Sequence, residues 1–527
     1  MDDFTRRGML RGTAAVAVGG IAARHELPSG RRPAATTAAR TGGSAKAGSR
    51  FPFLEGVFTP AAKELTAFDL PVTGRIPREL DGRYLRNGPN VLGLEDPRAH
   101  HWMLGEGMVH GVRIRDGRAE WYRNRWVRSS GVAAKLGEPY PWQAPADDFA
   151  NNTHVIGYKG VVLALQESGP APYQLDEELN TVGPYDFGGT LKGAYTAHTK
   201  YDQAADELHA ITYYPTWDHV RHLVIDRTGR VVRTTRIPVA DSPMMHDFAL
   251  TERYVVVYDT PVTFDAAAAQ AGAVVPYVWN DKHPARVGLL PRAGGSIRWF
   301  EADQNTYYSH TLNAYDDGTK VVLDFASMPT PFYAAGRGCD GPSSLGTPRL
   351  DRWTVDVESG RVHTQRIDDR PQEFPRIRES LVSRRHRYGY TATAGDMWRA
   401  YETVDGVPPD THFGNALLKH DLLRGTTEVH RFPKDSPASE AVFVPAHGGG
   451  HEHGGSGHGG HEHGGPAHGG AEDDGYTMAY VHNPDRGAAD LVILAAQDFT
   501  APPLARIHLP ARVPLGLHGS WVPTAPS

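Results

Sequence analysis

Lys320-Val321-Val322-Leu323-Asp324-Phe325 follows the turn pair Asp317-Gly318, is rich in β-branched and aromatic side chains, and carries no helical period. It reads as a strand, and the chain repeats the pattern. Gly160-Val161-Val162-Leu163-Ala164-Leu165, Tyr254-Val255-Val256-Val257-Tyr258 and Leu491-Val492-Ile493-Leu494-Ala495 have the same make-up and are bounded by Gly, Asp, Asn or Pro. Hairpin-type turns recur at Asp116-Gly117, Thr228-Gly229 and Ser359-Gly360, whereas helical periodicity longer than two turns is scarce. From Phe51 onward the chain is therefore all-β. It holds too many strands for one simple sandwich, and a closed ring of small sheets removes the long edges that would otherwise aggregate. A β-propeller is the expectation. No repeat of fixed period is visible, so the number of blades does not follow from this pattern.

With 527 residues, 40% of them hydrophobic, the chain can bury a large core, but length leaves the domain number open. A net charge of -6 without a long basic run gives no electrostatic footprint for nucleic acid or an anionic lipid surface. The sole cysteine, Cys339, excludes an intramolecular disulfide and a Cys-rich zinc site. Any metal must then rest on His, Asp and Glu.

Thr5-Arg6-Arg7-Gly8-Met9-Leu10-Arg11, followed by a weakly apolar Gly/Ala-rich stretch from Gly12 to Ala23, reads as a twin-arginine export signal. That stretch is too short for a stable membrane anchor. A polar segment continues to Arg50, with Ala45-Lys46-Ala47 as a small-residue cleavage site. Residues 1–50 are thus expected to be a signal and disordered segment, and 51–527 the propeller domain of an extracytoplasmic protein. A non-functional signal would leave it cytoplasmic. From His447 to Gly470 the chain is almost only Gly and His, including His451, His453, His458, His461, His463 and His468. Such a tract cannot bury a core and reads as a solvated loop insertion; loose metal capture is its second reading.

Four other histidines sit at or beside strand-like segments: His198 in Ala197-His198-Thr199, His246 in Met245-His246-Asp247, His310 in Ser309-His310-Thr311 and His518 in Leu517-His518-Gly519. Taken singly, each is an ordinary hydrogen-bonded histidine. They are far apart in sequence, so only a fold that converges several strands on one axis would bring them together. A propeller does so.

The run Leu80-Asp81-Gly82-Arg83-Tyr84-Leu85-Arg86-Asn87-Gly88-Pro89-Asn90 is followed by Gly105-Glu106-Gly107-Met108-Val109-His110-Gly111 and by Tyr122-Arg123-Asn124-Arg125-Trp126-Val127-Arg128. These motifs, and the four histidine contexts after them, resemble the carotenoid cleavage oxygenases over about Phe51 to Pro523. The resemblance implies a seven-bladed β-propeller, with loops and short helices capping an axial iron(II), one per chain, held by His198, His246, His310 and His518. It also implies three glutamates behind the ligands: Glu167, Glu373 in Gln372-Glu373-Phe374-Pro375-Arg376, and Glu440 in Ser439-Glu440-Ala441. A carboxylate that accepts the outer ring N–H of a ligating imidazole fixes its tautomer and increases its basicity. By itself each glutamate would read as a surface ion pair.

Four imidazoles around iron(II) leave positions open for O2, and the absence of a thiolate ligand disfavours haem-thiolate or iron–sulfur chemistry. The substrate that the resemblance implies is a carotenoid or apocarotenoid, whose carbon–carbon double bond is cleaved to aldehyde or ketone products. A polyene offers no charged handle, so an apolar tunnel is expected to select the bond. Its uptake implies peripheral membrane contact, and the oligomeric state is left open. Thr153 in Asn152-Thr153-His154 resembles the threonine that family members place near an open iron position, and is read as the candidate gate on O2 or solvent. Stilbene-cleaving members carry a lysine before the first glutamate and commonly a tyrosine where this chain has Trp126; Gln166 and Trp126 depart from both. Stilbene cleavage, a non-catalytic carrier of hydrophobic ligands and a metal-sequestering protein are the alternatives.

Overall fold

The computed structural model describes residue 54 and residues 56–524, apart from 95, 98–99, 101, 146–147, 272, 274, 329–346, 395–413 and 447–469. The export signal and nearly all of the Gly/His tract lie outside the described residues. So does Cys339. Each of the four turn pairs read from sequence reverses the chain between paired strands; Asp116 and Gly117, with φ of 51° and 74°, adopt the left-handed backbone that a tight hairpin needs.

Seven sheets of four or five antiparallel strands form the ring. In chain order from axis to rim, blade 2 spans 154–184, blade 3 spans 199–238, blade 4 spans 248–301, blade 5 spans 307–368 and blade 6 spans 372–431. Blades 1 and 7 are shared between the two ends of the chain. Blade 1 takes Gly519–Pro523 as its inner strand, followed outward by Gly82–Asn90, Glu106–Arg115, Arg118–Trp126 and Leu65–Phe68. Blade 7 runs outward from Val442–Pro445 and receives Val72–Gly74 at its rim, where Val72 pairs with Ile507. The ring is therefore closed twice by backbone ladders, and the free edges that remain are short. Contacts of Gly519–Pro523 with both Val442–Pro445 and His154–Tyr158, and of Tyr307–Asp317 with Phe248–Leu250 and Gln372–Arg376, identify the inner strands.

Apolar clusters fill every gap between neighbouring blades, so most sheets are covered on both faces. Val256, Val287, Leu323, Phe325 and Trp353 pack between blades 4 and 5, and Tyr84, Val112, Met478, Leu491 and Ile507 between blades 7 and 1. This explains runs such as Val255-Val256-Val257, in which successive side chains point to opposite faces and all are buried. Helices are few and short. Ser130–Leu136 is capped by Ser129 and ends at Gly137, and Ala266–Gln270 is capped by Asp265. Among the described residues no helix is long and apolar enough to cross a membrane.

Candidate metal centre

Inner strands start at one end of the ring, and that end carries the chemistry. His198 directly precedes the inner strand of blade 3 (Thr199–Asp202), His246 stands two residues before that of blade 4 (Phe248–Leu250), His310 lies in that of blade 5 (Tyr307–Asp317), and His518 directly precedes that of blade 1. Glu373 enters from the inner strand of blade 6, and Glu440 from the residues just before that of blade 7. Blade 2 instead contributes Glu167, just past its second strand, Val161–Leu165.

One ligand-type atom from each of the four histidines lies within 4.8 Å of the other three. Three of the rings are turned by carboxylates: His246 Nδ1 meets Glu167 at 2.7 Å, His310 Nδ1 meets Glu373 at 2.8 Å and His518 Nδ1 meets Glu440 at 3.0 Å. Each Nδ1–H therefore donates outward, and the lone pair of Nε2 faces inward. The Nε2 atoms of His246 and His310 stand 2.9 Å apart. Two lone pairs at that distance need a cation or a shared proton between them. Metal–imidazole bonds of about 2.0–2.1 Å would separate neighbouring donors by about 3 Å, the spacing that His246 and His310 show.

The electrostatics point the same way. Burial, and then the neighbouring His246, His518 and His310, hold His198 far below its ordinary pKa, so its imidazole is neutral and able to ligate. His198 has no carboxylate partner among the described residues, and its Nε2 has no protein partner. Burial would lower His246 too, yet the Glu167 charge raises it, so this field favours a cation at the centre. Burial would raise the three glutamates, but the facing histidines hold Glu167 and Glu373 down, and Arg376 and then His518 hold Glu440 far down. Three carboxylates less the guanidinium of Arg376, 3.1 Å from Glu440, leave two negative charges around the four imidazoles. That is the complement of a divalent ion.

Several residues of this network are not among the sequence-derived candidates. Tyr213 donates its hydroxyl to Glu167 from blade 3. Asp247, next to His246, accepts the Thr311 N–H beside His310 at 2.8 Å and pairs at 2.9 Å with Lys200, two residues past His198; it braces three ligand strands. His154 is buried beside the cluster, its ring centroid 5.3 Å from that of His518, and its Nδ1 bonds the Ala197 carbonyl at 3.0 Å. Phe374, in left-handed backbone at φ 56°, packs on both His310 and His518 and turns its N–H onto Glu373. Arg376 and His154 stand in motifs quoted above, whereas Tyr213 carries no sequence signal because it acts across a blade boundary.

Thr153 lies between two of these elements: its carbonyl accepts the His518 N–H at 3.1 Å, and its hydroxyl accepts the Glu167 N–H at 3.4 Å. Gln166 accepts the Asn152 N–H at 3.0 Å. Trp126 is buried with Met108 and Val132 in a separate apolar cluster of blade 1.

If the carboxylates serve the metal, Glu167→Gln, Glu373→Gln and Glu440→Gln are each expected to lower metal affinity or turnover by about 10–100-fold with the fold intact. Metal titration and circular dichroism on the three variants check this. Unchanged binding and turnover in all three would make these carboxylates purely structural.

A family model described as retinal pigment epithelial membrane protein matches residues 58–523. A carotenoid cleavage oxygenase of Mycobacterium tuberculosis is 41% identical over 529 residues, covering 90% of this chain and 98% of that protein. Among solved structures, cobalt-substituted Synechocystis ACO superposes with a TM-score of 0.75 at 27% identity, covering 90% of this chain and 98% of that one. The lignostilbene dioxygenase of Pseudomonas brassicacearum superposes with a TM-score of 0.76 at 28% identity, covering 90% and 99%.

Proposed function

The chain belongs to the carotenoid cleavage oxygenase family, and we propose that it binds one iron(II) through His198, His246, His310 and His518 and cleaves a double bond of a carotenoid or apocarotenoid. The observation that carries this reading is the convergence of the four imidazoles, three of them turned by carboxylates, of which Glu373 and Glu440 are buried. Iron in such a site supplies O2 activation and leaves positions open beside four nitrogen ligands. Glu167, Glu373 and Glu440 fix the ligand tautomers, and Asp247 fixes the spacing of the strands that carry His246 and His310. Thr153, bonded to both the Glu167 and the His518 segments, is the candidate gate for O2 or solvent.

Gln166 decides between substrate classes in this reading. Its amide oxygen is engaged by the Asn152 N–H and it carries no charge, so it offers a phenolate nothing comparable to a lysine in a water-poor site. Anaerobic iron(II) loading followed by incubation with carotenoids, apocarotenoids and hydroxylated stilbenes at matched concentration is expected to give aldehydes from the polyenes and poor turnover of the stilbenes. A higher kcat/KM for stilbenes than for every polyene would overturn the role given to Gln166 and leave the metal site standing.

The tract 447–470 joins Val442–Pro445 to Gly475–Asn483 at the end of that hairpin marked by the Pro445–Gly475 pair, whereas Glu440 stands at the other end. Deleting it should leave one tightly bound iron per chain and full cleavage activity; loss of most metal capacity with retained fold would favour sequestration. The Thr5–Arg11 motif supports export, tested by fractionation of cells expressing the wild type and an Arg6→Lys, Arg7→Lys variant.

A further inference from the structure

Where blades 1 and 7 meet, Arg86 of strand Gly82–Asn90 is buried with its guanidinium 5.7 Å from the centre of the Tyr480 ring. It donates to the Pro514 carbonyl. No carboxylate pairs with it among the described residues, and its Nε has no protein partner. Arginine cannot shed its proton in a protein, and a buried charge without a counter-charge is costly. Two more polar atoms nearby share this condition: the Tyr480 hydroxyl and His482 Nδ1 are buried without protein partners. Arg86, Tyr480, His482 and Ser439 line a cavity of about 20 Å³ whose remaining wall is mainly apolar. That volume suits one water or one monatomic ion. Water would satisfy the hydrogen bonds but add no counter-charge, and the one carboxylate whose charge is felt at Arg86, Glu440, is already engaged by Arg376 and His518.

We propose that this cavity is a binding site for one small monovalent anion of the chloride class, held by the Arg86 guanidinium, the Tyr480 hydroxyl and the His482 Nδ1–H. The site adjoins the path to the metal centre at two points. Asn87, next to Arg86, donates its N–H to the His518 carbonyl at 3.0 Å and accepts the Leu517 N–H at 3.1 Å. Ser439, in the cavity wall, precedes Glu440. The anion thus fastens the seam through which both His518 and its carboxylate reach the axis, and its occupancy stabilises the closed ring.

The test uses the full-length, iron-loaded protein. Sodium chloride replaces sodium gluconate at constant ionic strength in the millimolar range, where general salt effects stay constant, and the apparent Tm is followed. A saturable rise of about 2 °C or more is expected. In Arg86→Met the rise disappears. Should that variant fail to fold, Tyr480→Phe shifts the half-saturating chloride concentration upward by about threefold, the loss of one hydrogen bond. Crystals of the wild type grown in bromide are expected to show a bromine-edge anomalous peak beside Arg86. Both the saturable response and that peak are required. Absence of either, meaning that water alone fills the cavity, overturns the proposal, as does a halide response that survives in a folded Arg86→Met.

Discussion

Alanine at any one of positions 198, 246, 310 or 518 is expected to abolish cleavage and strip the protein of iron, because among the described residues no fifth donor belongs to the converging group. His154 stands beside the cluster, its ring centroid 5.3 Å from that of His518, with Nδ1 on the Ala197 carbonyl and Nε2 without a protein partner, but it is not part of the converging group. The four variants should differ in stability even though they agree in activity. His310→Ala leaves the buried Glu373 facing a void, and an uncompensated buried charge costs about 3–5 kcal/mol; His246→Ala and His518→Ala cost less, because Glu167 is only half-buried and Glu440 keeps Arg376. Glu373, fully buried behind His310, is the extreme case. His198 has no carboxylate behind it, so His198→Ala removes a ligand without orphaning a charge. Metal analysis, product assay and chemical denaturation on the set give a clear pattern: no activity in all four, with His198→Ala the most stable. Full activity in two or more would sink the four-histidine assignment.

Strand character was legible along the chain because blades packed on both faces demand apolar, β-branched runs, and Lys320 to Phe325 is one of the central strands so formed. The number of blades was not legible from pattern. Blade 4 is interrupted by the hairpin Val262–Phe264 with Tyr277–Trp279, and blade 7 by the Gly/His insertion, which together destroy any fixed period. Ring closure was equally hidden. One of its two ladders is made by Val72-Thr73-Gly74, three exposed residues whose pairing with Ala505–His508 involves the opposite end of the chain. The four histidines and three glutamates were readable only through family motifs, since nothing local distinguishes them from ordinary core histidines or surface acids. What the motifs did not carry is the bracing between blades: Tyr213 on Glu167, Asp247 on Thr311 and Arg376 on Glu440. Each joins elements that only the closed ring brings together.

Arg376→Met should have the second largest effect, and its direction follows from the charge at the centre. Arg376 donates to Glu440 at 3.1 Å and to the Gly519 carbonyl at 3.0 Å, just past His518, and reaches the exposed Glu379 at 2.7 Å. Replacing both members of a buried pair by apolar residues can be neutral, whereas removing one strands the other at a cost of about 3–5 kcal/mol. Here the stranded group is a carboxylate that the metal centre needs ionised. Burial pushes Glu440 up, and the Arg376 charge is the largest influence holding it far below the ordinary carboxylate range. A carboxyl whose folded pKa is depressed contributes stability that is present above its unfolded pKa and lost as pH falls through the folded one. In the wild type that loss is deferred to strong acid. Without Arg376 the folded pKa rises, so Glu440 takes up a proton in milder acid, and a protonated carboxyl holds the His518 N–H poorly. The variant is therefore expected to release iron at a higher pH than the wild type and to unfold at lower denaturant concentration. Iron retention measured against pH, with denaturation midpoints at neutral pH, tests both. Identical iron-release curves would show that Arg376 acts only as a strut to Gly519 and sets no charge at the metal.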